Sequence, residues 1–373
     1  MNEKSLIPSI RFAGFTDVWE KRKVKDIANR YDNLRVPVAA NLRVSGSTPY
    51  FGANGIQDYV EGYTHEGEFV LVAEDGANDL KNYPVKCVNG RIWVNNHAHV
   101  LQGKPDVTDN QFLAYSINQT DIESLLVGGS RAKLNAETLM DIELAFPTLS
   151  EQRSIGAFLN CIDHLITLHQ RKYEKLLNIK KSMLDKMFPK NGELFPEVRF
   201  AGFTDAWERR KLGELCSEFK SGDFIKADNI TEKGLYPVYG GNGLRGYADR
   251  YNHDGEYALI GRQGALCGNM KKSTGKAYFT EHAVAVQGNR FNHTDFLYHL
   301  FGTLDLGQYS GQSAQPGLAV SKLLEVSATI PLLEEQRKIA EFLTNLDTLI
   351  TLHQRKLEKL QNIKKACLEK MFV

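Results

Sequence analysis

The chain has no proline pair, no long apolar run and no marked excess of charge, and each absence removes a class of function. All 11 prolines are isolated, so the Asn- or Asp-Pro-Pro-aromatic loop with which an amino-methyltransferase holds a flipped base is missing. No segment approaches the roughly 18 to 20 apolar residues that span a bilayer. The opening Met1-Asn-Glu-Lys-Ser5 lacks the basic-then-apolar order of a secretory signal. A soluble, cytoplasmic protein with no membrane partner is expected. The five cysteines, Cys87, Cys161, Cys216, Cys267 and Cys367, are odd in number and scattered, which excludes a disulfide framework or a zinc knuckle. Pro105-Asp106 is not followed at short range by Asp or Glu-x-Lys, so the metal-dependent nuclease pattern is absent too. Phe51-Gly-Ala-Asn-Gly55 imitates a nucleotide-binding glycine loop, but its β-rich surroundings make it a turn.

What is present is repetition. Ile10-Arg-Phe-Ala-Gly-Phe-Thr-Asp-Val-Trp-Glu20 returns as Val198-Arg-Phe-Ala-Gly-Phe-Thr-Asp-Ala-Trp-Glu208, and the stretch beginning at Pro147 returns at Pro331. A period near half of 373 residues means two copies of one domain. Two similar surfaces suit a repetitive partner, and duplex DNA is the commonest of these. Charge tempers that idea: 46 Lys plus Arg against 45 Asp plus Glu leave a net +1, where a nucleic-acid binder is often strongly basic. Residues 1–146 are even slightly acidic, with 15 basic and 19 acidic side chains. DNA contact must come from local patches or from partner proteins.

The order along the chain is A-B-A′-B′. A (1–146) and A′ (190–330) are rich in Gly, aromatic and β-branched residues, with alternating runs such as Glu68-Phe-Val-Leu-Val-Ala73 and Glu256-Tyr-Ala-Leu-Ile-Gly261, and read as mainly β. The spacers 147–189 and 331–373 each read as one long helix, over 150–188 and 334–372, of roughly 58 Å at 1.5 Å per residue. The first carries a heptad stripe from Ile155, Phe158, Leu159 and Ile162 to Met183 and Met187; the second repeats it from Ile339, Phe342, Leu343 and Leu346 to Cys367 and Met371. Each greasy face needs a partner, and the other copy supplies an equivalent one, so an antiparallel coiled coil is expected. His169 and His353 fall on that seam and are candidates for fixing its register. The fold class is α+β: two pseudo-twofold-related β-rich domains separated by two long helices.

Aligning A with A′ separates scaffold from variable surface. Pro49, Gly52, Asn54, Gly55, Tyr59, His65, Gly67 and Gly76 match Pro237, Gly240, Asn242, Gly243, Tyr247, His253, Gly255 and Gly264 at constant spacing. Further on, His97-Ala98 matches His282-Ala283. Within this kept frame Glu74-Asp75 stands opposite Arg262-Gln263. These types suit base edges: Arg a guanine, Gln an adenine, Asp or Glu a cytosine amino group. The wider set of candidate DNA contacts is Arg43, Asn54, Gln57, Asn95, Asn96, Arg131 and Lys133 in A, with Asn242, Arg245, Lys271, Lys272, Gln312 and Gln315 in A′. His97-x-His99 meets His282-x-Val284 in the other copy, so neither a metal nor a cofactor is expected.

The A-B-A′-B′ order, with Pro147-Thr-Leu-Ser-Glu-Gln-Arg153 and Pro331-Leu-Leu-Glu-Glu-Gln-Arg337 opening two near-identical helices, resembles the specificity subunit of Type I restriction-modification enzymes. So do Trp19 and Trp207 followed by Lys23-Val24 and Lys211-Leu212. The likeness takes in essentially the whole chain. It implies that A and A′ are target recognition domains, each reading one half of a split site in double-stranded DNA. It also implies that the helices bind two methyltransferase subunits, with two translocating restriction subunits completing the enzyme, and that this chain is not catalytic. A competing reading of the residues alone is a non-catalytic scaffold whose two modules bind protein or glycan.

Overall fold

The computed structural model describes residues 6–128, 132–190, 192–264, 266–311 and 317–373. Two compact units emerge. The first is Met1–His169 together with Lys356–Val373, and the second is Gln170–Arg355. Each unit therefore holds one β-rich domain, the first half of one long helix and the last part of the other. The helices run Leu149–Lys186 and Leu333–Met371, within two residues of the spans read from the sequence.

In the first unit six strands lie in the order Ala28–Arg30, Ala98–Gly103, His65–Ala73, Val85–Val94, Ser45–Gly52 and Gly55–Val60. Neighbours are antiparallel except Ser45–Gly52 and Val85–Val94, which pair in parallel through Tyr50↔Trp93. The alternation of the central strand explains why the sheet is covered on both faces. Val70 and Val72 turn toward the helix Asn110–Asn118 with Phe112, Leu113 and Ile117, while Phe69 and Leu71 close a smaller core with Phe51, Val88, Ile92 and Val94. The second unit repeats this. Its strands follow the same order, Cys216–Ser221, Ala283–Gly288, His253–Gly261, Met270–Phe279, Tyr236–Gly240 and Gly243–Ala248. Ala258 and Ile260 face Phe296, Leu297 and Phe301, and Tyr257 and Leu259 face Ala277, Phe279 and Ala285. Gly55 and Gly243 turn the equivalent hairpins at φ of +105° and +98°, a conformation that favours glycine.

The repeated motifs join each domain to its helix. Arg11 donates twice to the carboxylate of Glu151, at 2.6 and 2.7 Å, and Arg199 does the same to Glu335 at 2.7 Å each. Both glutamates are only 1% exposed. Beside them Gln152 accepts from the Asp109 backbone N–H and donates to the carbonyls of Val107 and Pro147. Gln336 accepts from His293 N–H and donates to Asn292 Oδ1 and the Pro331 carbonyl. Trp19 packs edge-on against Phe112 and Phe372, and Trp207 against Phe296 and Phe188. The tail of one helix is thus built into the core that seats the head of the other.

Inside each unit the two helix segments run antiparallel. In the first, Lys364 bonds Asp163 at 2.6 Å while Met371 shares a core with Ile155 and Leu159. In the second, Lys180 bonds Asp347 while Met187 shares a core with Ile339 and Leu343. The heptad stripe is unevenly used. Ile155, Leu159, Ile162, Ile339, Leu343 and Leu346 are buried, whereas Phe158, Leu349 and Ile363 are 37%, 42% and 37% exposed. Burial follows proximity to a domain core rather than the heptad alone. His169 and His353 are each half-buried.

Removing one partner of a buried ion pair strands the other charge, at a cost of about 3–5 kcal/mol. Glu151→Ala is therefore expected to lower stability by about 3 kcal/mol in urea denaturation, and Arg11→Leu with Glu151→Leu to lose less than Glu151→Ala alone. Equal midpoints for wild type and Glu151→Ala would remove the clamp from the account.

Candidate nucleic-acid interface

At one end of each six-stranded sheet, four segments far apart in sequence are laced together by backbone hydrogen bonds. In the first domain Glu74 N–H donates to His97, Leu134 N–H to Glu74 and Asn95 N–H to Phe51, and Asp75 bridges to Lys133. In the second, Arg262 N–H donates to His282, Leu318 N–H to Arg262 and Thr280 N–H to Tyr239, and Gln263 bridges to Gly317. The same cluster therefore forms twice from equivalent positions. It gathers Asn54, Gln57, Glu74, Asp75, Asn95, Asn96 and Lys133 in one copy and Asn242, Arg245, Arg262 and Gln263 in the other. In the second copy it encloses a cavity of about 420 Å³ onto which Asn242, Arg245, Gln263 and His282 open.

The two residues of each contrasted pair have different fates. Glu74 is turned inward, with its carboxylate held by Arg35 at 2.6 Å and Lys133 at 2.8 Å. Behind it His99, almost wholly buried, lies between Asp32 at 2.7 Å and the Leu134 carbonyl at 2.9 Å. Burial pushes the Glu74 and Asp32 carboxyls up, but hydrogen bonds from Lys133 and Arg35 to the former, and from His99 and the Val100 N–H to the latter, leave both below their ordinary values. One ligand atom from each of Asp32, Glu74 and His99 lies within 4.8 Å of the others. Arg35 and Lys133 already supply positive charge there, so the set reads as an ion-pair knot rather than a metal seat. Arg262, the counterpart of Glu74, is also turned inward and donates to the Leu318 carbonyl, Ser221 Oγ and the Glu281 carbonyl at 3.1, 3.2 and 3.3 Å. Asp75 is only partly covered and bonds His97 Nδ1, and Gln263 is exposed.

The remaining candidates separate in the same way. Asn95 is buried and spans Gln57 Oε1 and the His97 N–H; Asn54 ties the hairpin to the Gly76 carbonyl and the Asn78 N–H. Arg43 lies over the Tyr50 ring and bonds the Val38 carbonyl, apart from the cluster. Lys272 is paired with Asp295 at 2.5 Å. Asn96, Gln57, Asn242, Arg245 and Lys271 are exposed. Arg131, Gln312 and Gln315 lie outside the described residues. The histidines 97 and 282 belong to the cluster although the contrast between copies did not select them; that they are kept at matched positions was the available signal.

A carboxylate held below its ordinary value stabilises the fold fully above that value and loses the contribution as pH falls through the lower folded one. For Glu74 and Asp32 the ordinary values are 4.5 and 3.8. Glu74→Gln is expected to lower the urea midpoint at pH 7, with the gap to wild type closing as pH is lowered through that range. A gap unchanged between pH 7 and pH 3 would show that the carboxylate's charge does not hold the knot.

Comparison with known proteins gives a consistent picture. The family model described as the Type I restriction modification DNA specificity domain matches twice, over residues 16–178 and 204–362. A Haemophilus influenzae protein carrying the name of a type I restriction enzyme specificity subunit is 33% identical over 352 residues, covering 88% of either chain. The EcoprrI specificity subunit of Escherichia coli is 46% identical over 146 residues, 38% of this chain and 36% of that protein. The crystal structure of the S subunit of a Type I restriction-modification system from M. genitalium superposes with a TM-score of 0.78 at 18% identity, covering 98% of this chain and 99% of that one. With two copies of the family's domain, each carrying the laced cluster and its own long helix, the chain belongs to the Type I restriction-modification DNA specificity family.

Proposed function

We propose that this chain is the sequence-reading subunit of a Type I restriction-modification complex, binding a bipartite site in double-stranded DNA with one half-site per β-rich domain. The observation that carries this reading is the duplication itself: one loop cluster, formed twice on one scaffold, with different side chains at matched positions. The long helices act as the ruler between half-sites and as the seat for two methyltransferase subunits, with two translocating restriction subunits completing the assembly. His169 and His353 fix the register of the helix pair. Methyl transfer and cleavage are assigned to those partners.

Electrostatics sets how the complex holds DNA. Non-specific affinity scales with the number of phosphates neutralised, and this chain carries a net charge of only +1. The isolated subunit is expected to bind duplex at least tenfold more weakly than its assembly with methyltransferase subunits, by fluorescence titration at about 150 mM salt. Equal affinities would place the electrostatic grip on this chain after all.

The ruler has its own test. Seven residues inserted at matched points of both helices, after Arg171 and after Arg355, preserve the heptad and add about 10 Å of helix. At about 3.4 Å per base pair the gap between half-sites is expected to widen by about three base pairs, read from the methylated motif in long-read sequencing. A methylated motif with an unchanged gap would deny the helices that role, and a wild-type motif in one uninterrupted block would deny the bipartite reading.

A further inference from the structure

We propose that base identity within each half-site is set by two side chains of the laced cluster, Gln57 and Asp75 in the first domain and Arg245 and Gln263 in the second, where they line its cavity. This inference rests on the DNA-reading function proposed above. Positions 57 and 245 are equivalent, as are 75 and 263, and at both the side chain changes chemical class while the backbone lacing around it is the same.

Three observations separate these four residues from their neighbours. The first is packing. Gln57 and Arg245 each lie across a kept glycine, Gly52 and Gly240, where a Cβ would collide with that very side chain. A side chain laid on bare backbone is aimed along one direction, and Gln57 is held there only by a 3.4 Å hydrogen bond from Asn95 to its Oε1 among the described residues, which suits a group that reads a base edge. The second is availability. Glu74 and Arg262 have their charges consumed inside the domain, whereas Arg245 and Gln263 are exposed and Asp75 is partly so. The third is coupling to a kept histidine. Asp75 bonds Nδ1 of His97, but with Gln263 in the matching place, Nδ1 of His282 is buried without a hydrogen-bond partner among the described residues. The change at this position therefore alters what the histidine beside the cleft can offer.

The residues that do not change fit the other half of recognition. Lys86 and Lys271 stand in the same register, opposite Leu71 and Leu259, and both are exposed. The Lys271 stem runs beside Gly243 in the hairpin at the cleft's edge. A kept ammonium at the rim suits the phosphate backbone, which is the same in every sequence. The changed groups suit base edges: Arg245 the O6 and N7 of a guanine, Gln263 and Gln57 the N6 and N7 of an adenine, Asp75 the amino group of a cytosine.

The test exchanges the pairs in the full chain, assembled with its methyltransferase subunits in cells, and reads the methylated motif genome-wide. Arg245→Gln with Gln263→Asp, and separately Gln57→Arg with Asp75→Gln, are each expected to lower preference for the native base in one half-site by roughly 5- to 150-fold. The other half-site and the gap stay as in wild type. Arg262→Ala, which touches the interior instead, is expected to lower the melting temperature and leave the motif intact. Both exchanges leaving the motif unchanged overturns the inference, as does a motif rewritten by Arg262→Ala. If an exchange melts early, Arg245→Ala with Gln263→Ala, or Gln57→Ala with Asp75→Ala, is read in its place, with the same outcomes for and against. Loss of all methylation in a variant that melts normally and still assembles overturns it too, since the pair then serves grip rather than discrimination. A wild-type complex that methylates no bipartite motif overturns the function underneath, whatever the exchanges do.

Discussion

The buried clamp at the head of each long helix is the interaction on which the rest depends. A helix of 38 or 39 residues has little stability of its own in water and gains most of it by burying one face. Here its first turn is fixed by Arg11 on Glu151 or Arg199 on Glu335, and by a glutamine that bonds two groups of the neighbouring loop and the proline carbonyl just ahead of the helix. Such pairs add direction more than net stability, because desolvating two charges offsets much of their attraction. Direction is what a recognition domain on a stiff rod needs: a tilt at the joint is magnified along the helix, and a bidentate guanidinium–carboxylate pair resists tilt in a way that apolar packing does not.

The duplication makes the chain its own comparison, and this is why so much of the fold was legible. Two matched sets of glycines, tyrosines and alternating apolar residues located both sheets, and proline-free heptads located both helices to within two residues of their observed ends. The meaning of the Ser-Glu-Gln-Arg and Glu-Glu-Gln-Arg signatures was not legible. Glu151 and Gln152 find their partners at Arg11, Val107 and Asp109, between 43 and 140 residues away, and no local pattern encodes which distant carbonyl or guanidinium will be there.

The candidate site was legible in its location and less so in its orientation. Selecting Glu74-Asp75 and Arg262-Gln263 as one contrasting unit picked out matched positions at the ends of equivalent strands in the two sheets. Carrying the strand's alternation one step further separates the two: Glu74 continues the face of Val70 and Val72, and Arg262 that of Ala258 and Ile260, the faces that look into the larger cores. An ionisable side chain on such a face must be paired, and both are. Of the groups that complete the knot around Glu74, His99 stood out in the sequence as part of His97-x-His99, whereas Arg35 and Asp32 reach it only through the fold.

This separation bears on how such a domain could change what it reads without losing its fold. Replacing Glu74 alone would strand Arg35 and Lys133 around an empty site, and replacing Arg262 would leave two carbonyls and a hydroxyl without their donor. Such positions change only together with their partners. Gln263 and Arg245 are exposed and bear on no internal charge, and substitutions at positions of that kind usually shift stability by no more than about 0.5 kcal/mol. The scaffold is therefore rigid where its polar groups answer to each other and permissive where they answer to solvent. A surface that meets an invariant phosphate backbone and a variable base sequence calls for both properties side by side, and the two copies show them at the same pairs of positions.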